Sequence, residues 1–173
     1  AACCFLGARY AWETVRGKNS KDLKFQVTWI GFWFNIPGVT ADPTQVAQNF
    51  YNTGADVVVS GIDTTEALIV AGQKKQEGKA VWAIPYDYEG ACKGADPVCL
   101  GVPYFNWGPA YMDFVGKVKS GQWKSEWLWT DPDWKDINNP ATSAVGFLPG
   151  PALPKGVLAV IDGFIADLGA GRI

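Results

Sequence analysis

The chain has 173 residues, of which 48% are hydrophobic and 18% charged, and this composition is typical of a folded domain rather than a disordered tail. Fifteen basic and seventeen acidic residues give a net charge of −2, so a nucleic-acid partner is not expected. The sequence contains no histidine, which excludes Ser-His-Asp and Cys-His nucleophiles and histidine-ligated metal sites. We therefore expect neither a metal nor a cofactor.

Helices and strands alternate along the chain. The predicted helices cover residues 3–16, 43–53, 63–77, 107–120 and 153–168. The predicted strands cover residues 25–31, 56–60, 80–84 and 100–104, with strand-like segments at 123–130 and 143–148. This alternation predicts an α/β fold, with βαβ units and a parallel sheet flanked by helices on both faces. Trp29 and Trp82 lie in the middle of predicted strands and are expected in the core.

The four cysteines fall into two pairs. Cys92 and Cys99 flank a short loop, and their spacing suits a local disulfide in an oxidising compartment, with two buried free thiols as the alternative. Cys3 and Cys4 lie in an apolar helical run and are expected to be small core residues.

Aromatic residues are unusually frequent, with nine Trp, six Tyr and nine Phe. In open parallel sheets, ligands bind beyond the carboxyl ends of the strands, and the four loops expected there combine aromatic with polar side chains. Aromatic faces stack on flat or sugar-like ligands, while polar groups bind hydroxyls or ring nitrogens. The predicted ligand-binding residues are Trp33, Asp63, Thr64, Tyr86, Asp87, Phe105, Asn106 and Trp107.

Two alternatives compete with ligand binding at these carboxylates. Asp63 could instead serve as the N-cap of the helix that follows it. Asp63, Asp87 and Asp113 could also supply a carboxylate pair for an enzyme that acts on sugars. No spacing in the sequence favours catalysis, and no G-x-S-x-G, P-loop or G-x-G-x-x-G motif occurs.

Several short segments together resemble the basic membrane lipoprotein family, the purine-nucleoside-receptor-like substrate-binding proteins of ABC importers. The segments, in chain order, are Phe5-Leu6-Gly7-Ala8-Arg9, Trp29-Ile30-Gly31, Asn52-Thr53-Gly54-Ala55-Asp56-Val57-Val58-Val59, Ala83-Ile84-Pro85-Tyr86-Asp87 and Phe105-Asn106-Trp107. The order of elements matches over nearly the whole chain, including the final helix. No single segment is as specific as a Walker loop.

The resemblance implies a type I periplasmic-binding-protein fold, in which two α/β lobes close on a solute about a hinge. Residues 1–122 would form the second lobe, and residues 123–173 would form the return segment and a helix that packs towards the first lobe. The first lobe would precede this chain or be a companion chain. The resemblance also implies an extracytoplasmic protein, either periplasmic or anchored on the outer face of the membrane. It would have no enzymatic activity and would deliver its solute to an ABC importer permease. A ligand-sensing domain of a regulator with the same fold is a further alternative.

The sequence departs from the nucleoside-binding pattern of that family at the ribose-binding positions. Pro85 stands where such members have an Asp that holds the ribose hydroxyls, with Asp87 two residues further on. Phe105 stands where they have a Lys, and residues 62–65 replace a Gly-rich turn. We therefore expect a free base or another flat, less hydroxylated solute rather than an ordinary purine nucleoside.

Overall fold

The computed structural model describes residues 1–173 as an α/β structure. Its helices are α1 (Ala2–Tyr10), α2 (Pro43–Asn52), α3 (Glu66–Gln76), α4 (Gly108–Lys119) and α5 (Lys155–Gly169). Its strands are β1 (Val57–Val59), β2 (Trp82–Ile84), β3 (Gly101–Phe105) and β4 (Val145–Pro149). A π-helical turn extends α1 over Ala11–Val15, and short 3₁₀ turns cover Ser20–Asp22, Glu89–Gly94 and Asp96–Val98.

The four strands form two two-stranded sheets, β1-β2 and β3-β4. Strands β1 and β2 pair in parallel, with Val58 opposite Ala83. Two single parallel bridges connect the two sheets. Ala83 in β2 bridges to Cys99, two residues before β3, and Asp87 in the loop after β2 bridges to Tyr104 in β3. Strands β3 and β4 pair along five residues. The expected α/β class with a parallel sheet is thus confirmed for β1 and β2, whereas β4 adds a pair outside that expectation because it runs antiparallel to β3.

Local sequence explains where the principal helix α2 begins. The Asp42 carboxylate accepts hydrogen bonds from the backbone N–H groups of Thr44 and Gln45, at 2.8 and 3.2 Å. Pro43 occupies the first turn, where its missing N–H costs no helical hydrogen bond. Helices α2 and α3 pack on each other and on β1 and β2. The buried residues of this core are Ala47, Tyr51, Val58, Leu68, Val70, Ala71, Val81, Ala83, Val98 and Cys99.

Tyr51, a buried residue of α2, links that helix to β2 by a hydrogen bond. Its side chain is only 2% exposed, and its hydroxyl donates a hydrogen bond to the Trp82 carbonyl at 2.9 Å. Burial raises the pKa of Tyr51 well above the ordinary value of 10.0. The folded state therefore binds this proton more tightly than the unfolded state does. The stability that the proton contributes is complete below pH 10.0 and is lost as the pH rises above it.

We expect the free energy of unfolding to fall above about pH 10, and Tyr51→Phe to make that fall shallower. At neutral pH the same substitution should cost about 1 kcal/mol, because it leaves a buried carbonyl without its donor. Urea unfolding at neutral and alkaline pH measures both effects. Tyr88→Phe, at a half-exposed position, is the matched control and should change neither. An equally steep alkaline fall in Tyr51→Phe and in the native protein would contradict this role for Tyr51.

Two predicted strands are absent from the structure. Residues 25–31 and 123–130 are extended or bent but pair with no strand. Trp29 is therefore 81% exposed instead of in the core, and Trp127 and Trp129 are more than 90% exposed. Their apolar sequences favour strands, but a strand forms only where a neighbouring edge supplies hydrogen bonds.

Three helices lie outside the core. Helices α1, α4 and α5 contain no buried residue, although α1 and α5 touch through the rings of Tyr10 and Phe164. Cys3 and Cys4 are exposed, so the prediction that they pack in the core is wrong. Cys92, inside the 89–94 turn, and Cys99, two residues before β3, form a disulfide. None of the helices combines the length and the apolar character needed to cross a membrane.

Candidate functional site

The loops that follow β1, β2 and β3 meet at one edge of the sheet. The N–H of Ser60, directly after β1, donates to the carbonyl of Ile84 at the end of β2. Beyond β2, the chain bridges to β3 at Asp87 and Tyr104. The residues that the sequence places after each strand therefore lie side by side in the structure.

Four aromatic side chains form a continuous surface at this edge, here called the aromatic row: Tyr86, Phe105, Trp107 and Tyr111. Successive ring centroids are 6.0, 5.6 and 6.4 Å apart. Phe105 is 43% exposed and Trp107 is 59% exposed, so their rings are open to a partner. Three members of the row were predicted from the sequence. Tyr111 was missed because it lies one helical turn after Trp107, inside α4, where no loop signal marks it.

A carboxylate stands at one end of the aromatic row. The Tyr86 hydroxyl donates a hydrogen bond to Oδ1 of Asp63 at 3.0 Å. The pKa of Tyr86 is raised to about 12 by desolvation first, then by this hydrogen bond and by the charges of Asp63 and Asp87. The hydroxyl thus stays protonated at neutral pH and holds Asp63 in place. Asp63 does not cap α3, since that helix begins at Glu66 and its N-cap is Thr65.

The loop after residue 30 reaches the same carboxylate through its backbone. The N–H of Asp63 donates to the carbonyl of Trp33 at 2.8 Å. The Trp33 side chain is 58% exposed, so its ring is open to solvent. At the start of α3, the side-chain oxygens Thr64 Oγ1 and Glu66 Oε2 are buried without a hydrogen-bond partner in the protein. The structure therefore gathers Trp33, Asp63 and Thr64 as the sequence predicts.

Asp87 is held in an unusual backbone conformation. Its φ is +91°, the one left-handed value at a non-glycine residue, and such values cost on the order of 1–3 kcal/mol. Two hydrogen bonds keep it there: its N–H donates to the Pro103 carbonyl at 3.1 Å, and its carbonyl accepts from Phe105 at 3.0 Å. Strand β3 thus fixes the backbone at Asp87, and strain of this kind is frequent at ligand sites.

Asn106 has a different environment from the other predicted site residues. Its Nδ2 donates to the carbonyls of Pro140 and Ser143 at 3.0 and 2.7 Å. Its Oδ1 accepts from the N–H of Gly108 at 3.3 Å, and its own N–H donates to Ala144. Both ends of the amide are therefore bonded within the protein. This favours a positioning role over the ligand contact that the sequence predicts.

The remaining carboxylate candidate lies elsewhere. Asp113, on α4, pairs with Lys117 at 2.9 Å and borders two shallow grooves of about 230 and 240 Å³ beside residues 123–131. It is thus engaged in an ion pair of its own. The structure contains no group of three acidic or cysteine side chains arranged to hold a metal ion.

No model of a known protein family matches the chain. The chain is similar to a curated purine-binding protein of Brucella abortus (strain 2308). The two sequences are 29% identical over an alignment of 136 residues. The alignment covers 72% of this chain and 35% of the relative. The chain therefore spans only about a third of the length of the curated relative that it matches.

Proposed function

We propose that this chain is one lobe of a solute-binding protein that captures a flat, purine-like ring at the aromatic row. The observation that carries the proposal is the continuous row of exposed rings with Asp63 hydrogen-bonded to its first member. Flat heteroaromatic ligands need both features, since their faces stack on rings and their N–H groups donate to carboxylates. The similarity to a purine-binding protein supports the same ligand class.

Binding would proceed without a covalent step. The faces of Phe105 and Trp107 would stack on the ligand, a contact worth about 1–3 kcal/mol per base in nucleic-acid systems. Asp63 and Asp87 would accept hydrogen bonds from ring or exocyclic N–H groups, with Tyr86 keeping Asp63 oriented. The ligand's preference for the closed arrangement would then drive closure of two lobes about a hinge.

The open geometry supports the first lobe, which lies outside this chain, as the other wall of the site. Phe105 and Trp107 are about half exposed, and binding proteins usually bury most of a small ligand's surface. The exposed apolar helices α1 and α5 give the first lobe a surface to pack on. We place the complete protein in the basic membrane lipoprotein family, outside the cytoplasm, delivering its solute to an ABC importer permease. The disulfide between Cys92 and Cys99 agrees with such an oxidising location.

The side chains at this edge favour a free base over a nucleoside. Pro85 and Phe105 offer no charge to ribose hydroxyls, and the Asn106 amide is occupied by Pro140 and Ser143. Tight adenosine binding by the intact protein, with contacts at Asp87 and Asn106, would contradict this preference.

Trp107→Ala tests the proposal directly. In titration calorimetry of the intact protein with adenine and hypoxanthine, we expect the substitution to weaken binding roughly 10- to 100-fold, because one stacking face is lost. Trp127→Ala is the matched control, since Trp127 is 93% exposed in the unpaired 123–130 segment. If neither purine binds the native protein, or if Trp107→Ala binds both as tightly as the native protein, the proposed site is wrong.

A further inference from the structure

The loops around the aromatic row carry only one sign of charge. Residues 31–35, 61–65, 85–89 and 105–109 contain the carboxylates Asp63, Asp87 and Glu89, and no lysine or arginine. Cationic residues are absent from the longer stretches 25–73 and 94–116 as well. The chain as a whole has fifteen basic residues, so their exclusion from this edge is local and does not follow from composition.

The two carboxylates nearest the row are not neutralised by ion pairs. The five ion pairs of the structure involve the acidic residues Glu13, Glu77, Asp113, Glu126 and Asp167. Asp63 instead accepts from a neutral phenol, the Tyr86 hydroxyl. Asp87 directly follows Tyr86 in the chain, so both carboxylates lie near the same end of the row. The edge of a ligand ring stacked on the aromatic row would therefore lie near the negative charges of Asp63 and Asp87, which no cation in the structure neutralises.

We infer that this site selects flat rings that are neutral or cationic and rich in N–H donors, and that it rejects anionic ones, such as nucleotides and deprotonated oxopurines. The inference rests on the proposed function and narrows its ligand class. An anionic ring would face two carboxylates across the short distances of a stacked complex, where screening by water is weakest. A donor-rich ring satisfies the same carboxylates with charge-assisted hydrogen bonds. Aromatic faces also attract cations and repel anions.

Xanthine provides a probe in which charge alone changes, because it loses a proton close to neutral pH. Hypoxanthine keeps its proton over the same interval and serves as the matched control ligand. The groups that face the ligand are Asp63, Asp87 and Tyr86, with Glu66 and Glu89 on the neighbouring turns. Tyr86 has a pKa raised to about 12, so it does not titrate in this interval.

We expect the affinity of the intact protein for xanthine to fall at least about tenfold from mildly acidic to mildly alkaline pH, while that for hypoxanthine stays constant. Adenosine 5′-monophosphate should bind at least about tenfold more weakly than adenine. Two affinity ratios measure the charge selection: xanthine at acidic against alkaline pH, and adenine against adenosine 5′-monophosphate. Asp63→Asn and Asp87→Asn should each reduce both ratios, since asparagine keeps an acceptor oxygen but removes the charge. Asparagine also tolerates the left-handed backbone at position 87. Asp162→Asn, on the exposed face of α5, should leave the ratios unchanged.

The outcomes separate this inference from the proposed function. If none of these purines binds, the proposed function fails and the inference fails with it. If the neutral purines bind but xanthine shows no pH dependence, or the monophosphate binds as tightly as adenine, only the charge selection is overturned. Ratios that persist in both Asp63→Asn and Asp87→Asn would also overturn it, because the selection would then come from elsewhere in the protein.

Discussion

Gly150→Ala should destabilise the protein by about 3 kcal/mol or more, the largest effect that we expect from any single methyl group. A Cβ at position 150 would lie well inside 3.0 Å of three backbone atoms, the carbonyl carbon and oxygen of Cys99 and the nitrogen of Gly101. Backbone atoms of a paired strand cannot rotate away as a side chain can. Gly150 also donates to the Leu100 carbonyl at 3.0 Å, so any shift that relieves the clash breaks a hydrogen bond.

Gly163→Ala is the matched control for this substitution. Gly163 lies in the middle of α5, and a Cβ there meets no atom within 4 Å. Alanine is the better helix former, so we expect about 0.5–1 kcal/mol of stabilisation. Urea unfolding of both variants gives the comparison. If the unfolding free energy of Gly150→Ala lies within about 0.5 kcal/mol of that of the native protein, the backbone at Gly150 does not pass as close to Cys99 and Gly101 as it does in the structure.

Asn106→Ala should lower stability and ligand affinity together. The substitution leaves the partly buried carbonyl of Ser143 without its donor, which costs about 1–3 kcal/mol. It also removes the exposed hydrogen bond to the Pro140 carbonyl, which contributes about 0.5–1.5 kcal/mol. Phe105 and Trp107 flank Asn106 in the chain, so the turn that orients both rings loses its anchor. We expect unfolding free energy to drop by about 2–4 kcal/mol and purine binding to weaken about tenfold.

Comparison with Trp107→Ala distinguishes a positioning residue from a ligand contact. Trp107 is 59% exposed, so its removal should weaken binding with little change in stability. Asn106→Ser is the informative second variant, because a hydroxyl can restore one donor to residues 140–143. If Asn106→Ala weakens binding while thermal unfolding stays at the native temperature, the side chain contacts ligand and the positioning role is wrong.

The positions of the helices and of the paired strands were predictable because their signals are local. The three successive valines of β1, the Asp42-Pro43 start of α2 and the glycines after α2 and α3 each act within a few residues. Helices 43–53, 63–77, 107–120 and 153–168 are confirmed within three residues at each end. The strand ends that carry Tyr86, Phe105 and Trp107 follow from the same local signals.

Pairing between distant segments was not predictable in the same way. The aromatic and β-branched run 25–31 is as apolar as a true strand, yet it pairs with no strand in the structure. The direction of β4 is set by the irregular residues 120–144, which turn the chain back along β3, whereas a strand-helix-strand pattern suggests a parallel crossover. The role of Asn106 depends on its hydrogen bonds to Pro140 and Ser143, which lie 34 and 37 residues away in the chain. No pattern in the sequence around Asn106 indicates these partners.

The antiparallel pairing of β4 with β3 has a consequence for biosynthesis. Strand β3 is complete at Phe105, but its outer partner ends only at Pro149, so the ribosome must make 44 more residues before the sheet can close. During that time β3 presents an unpaired edge beside exposed Phe105 and Trp107, and open edges of this kind recruit strands from other chains. Faster translation of residues 106–149, or a chaperone that covers this edge on the nascent chain, should therefore raise the yield of soluble protein.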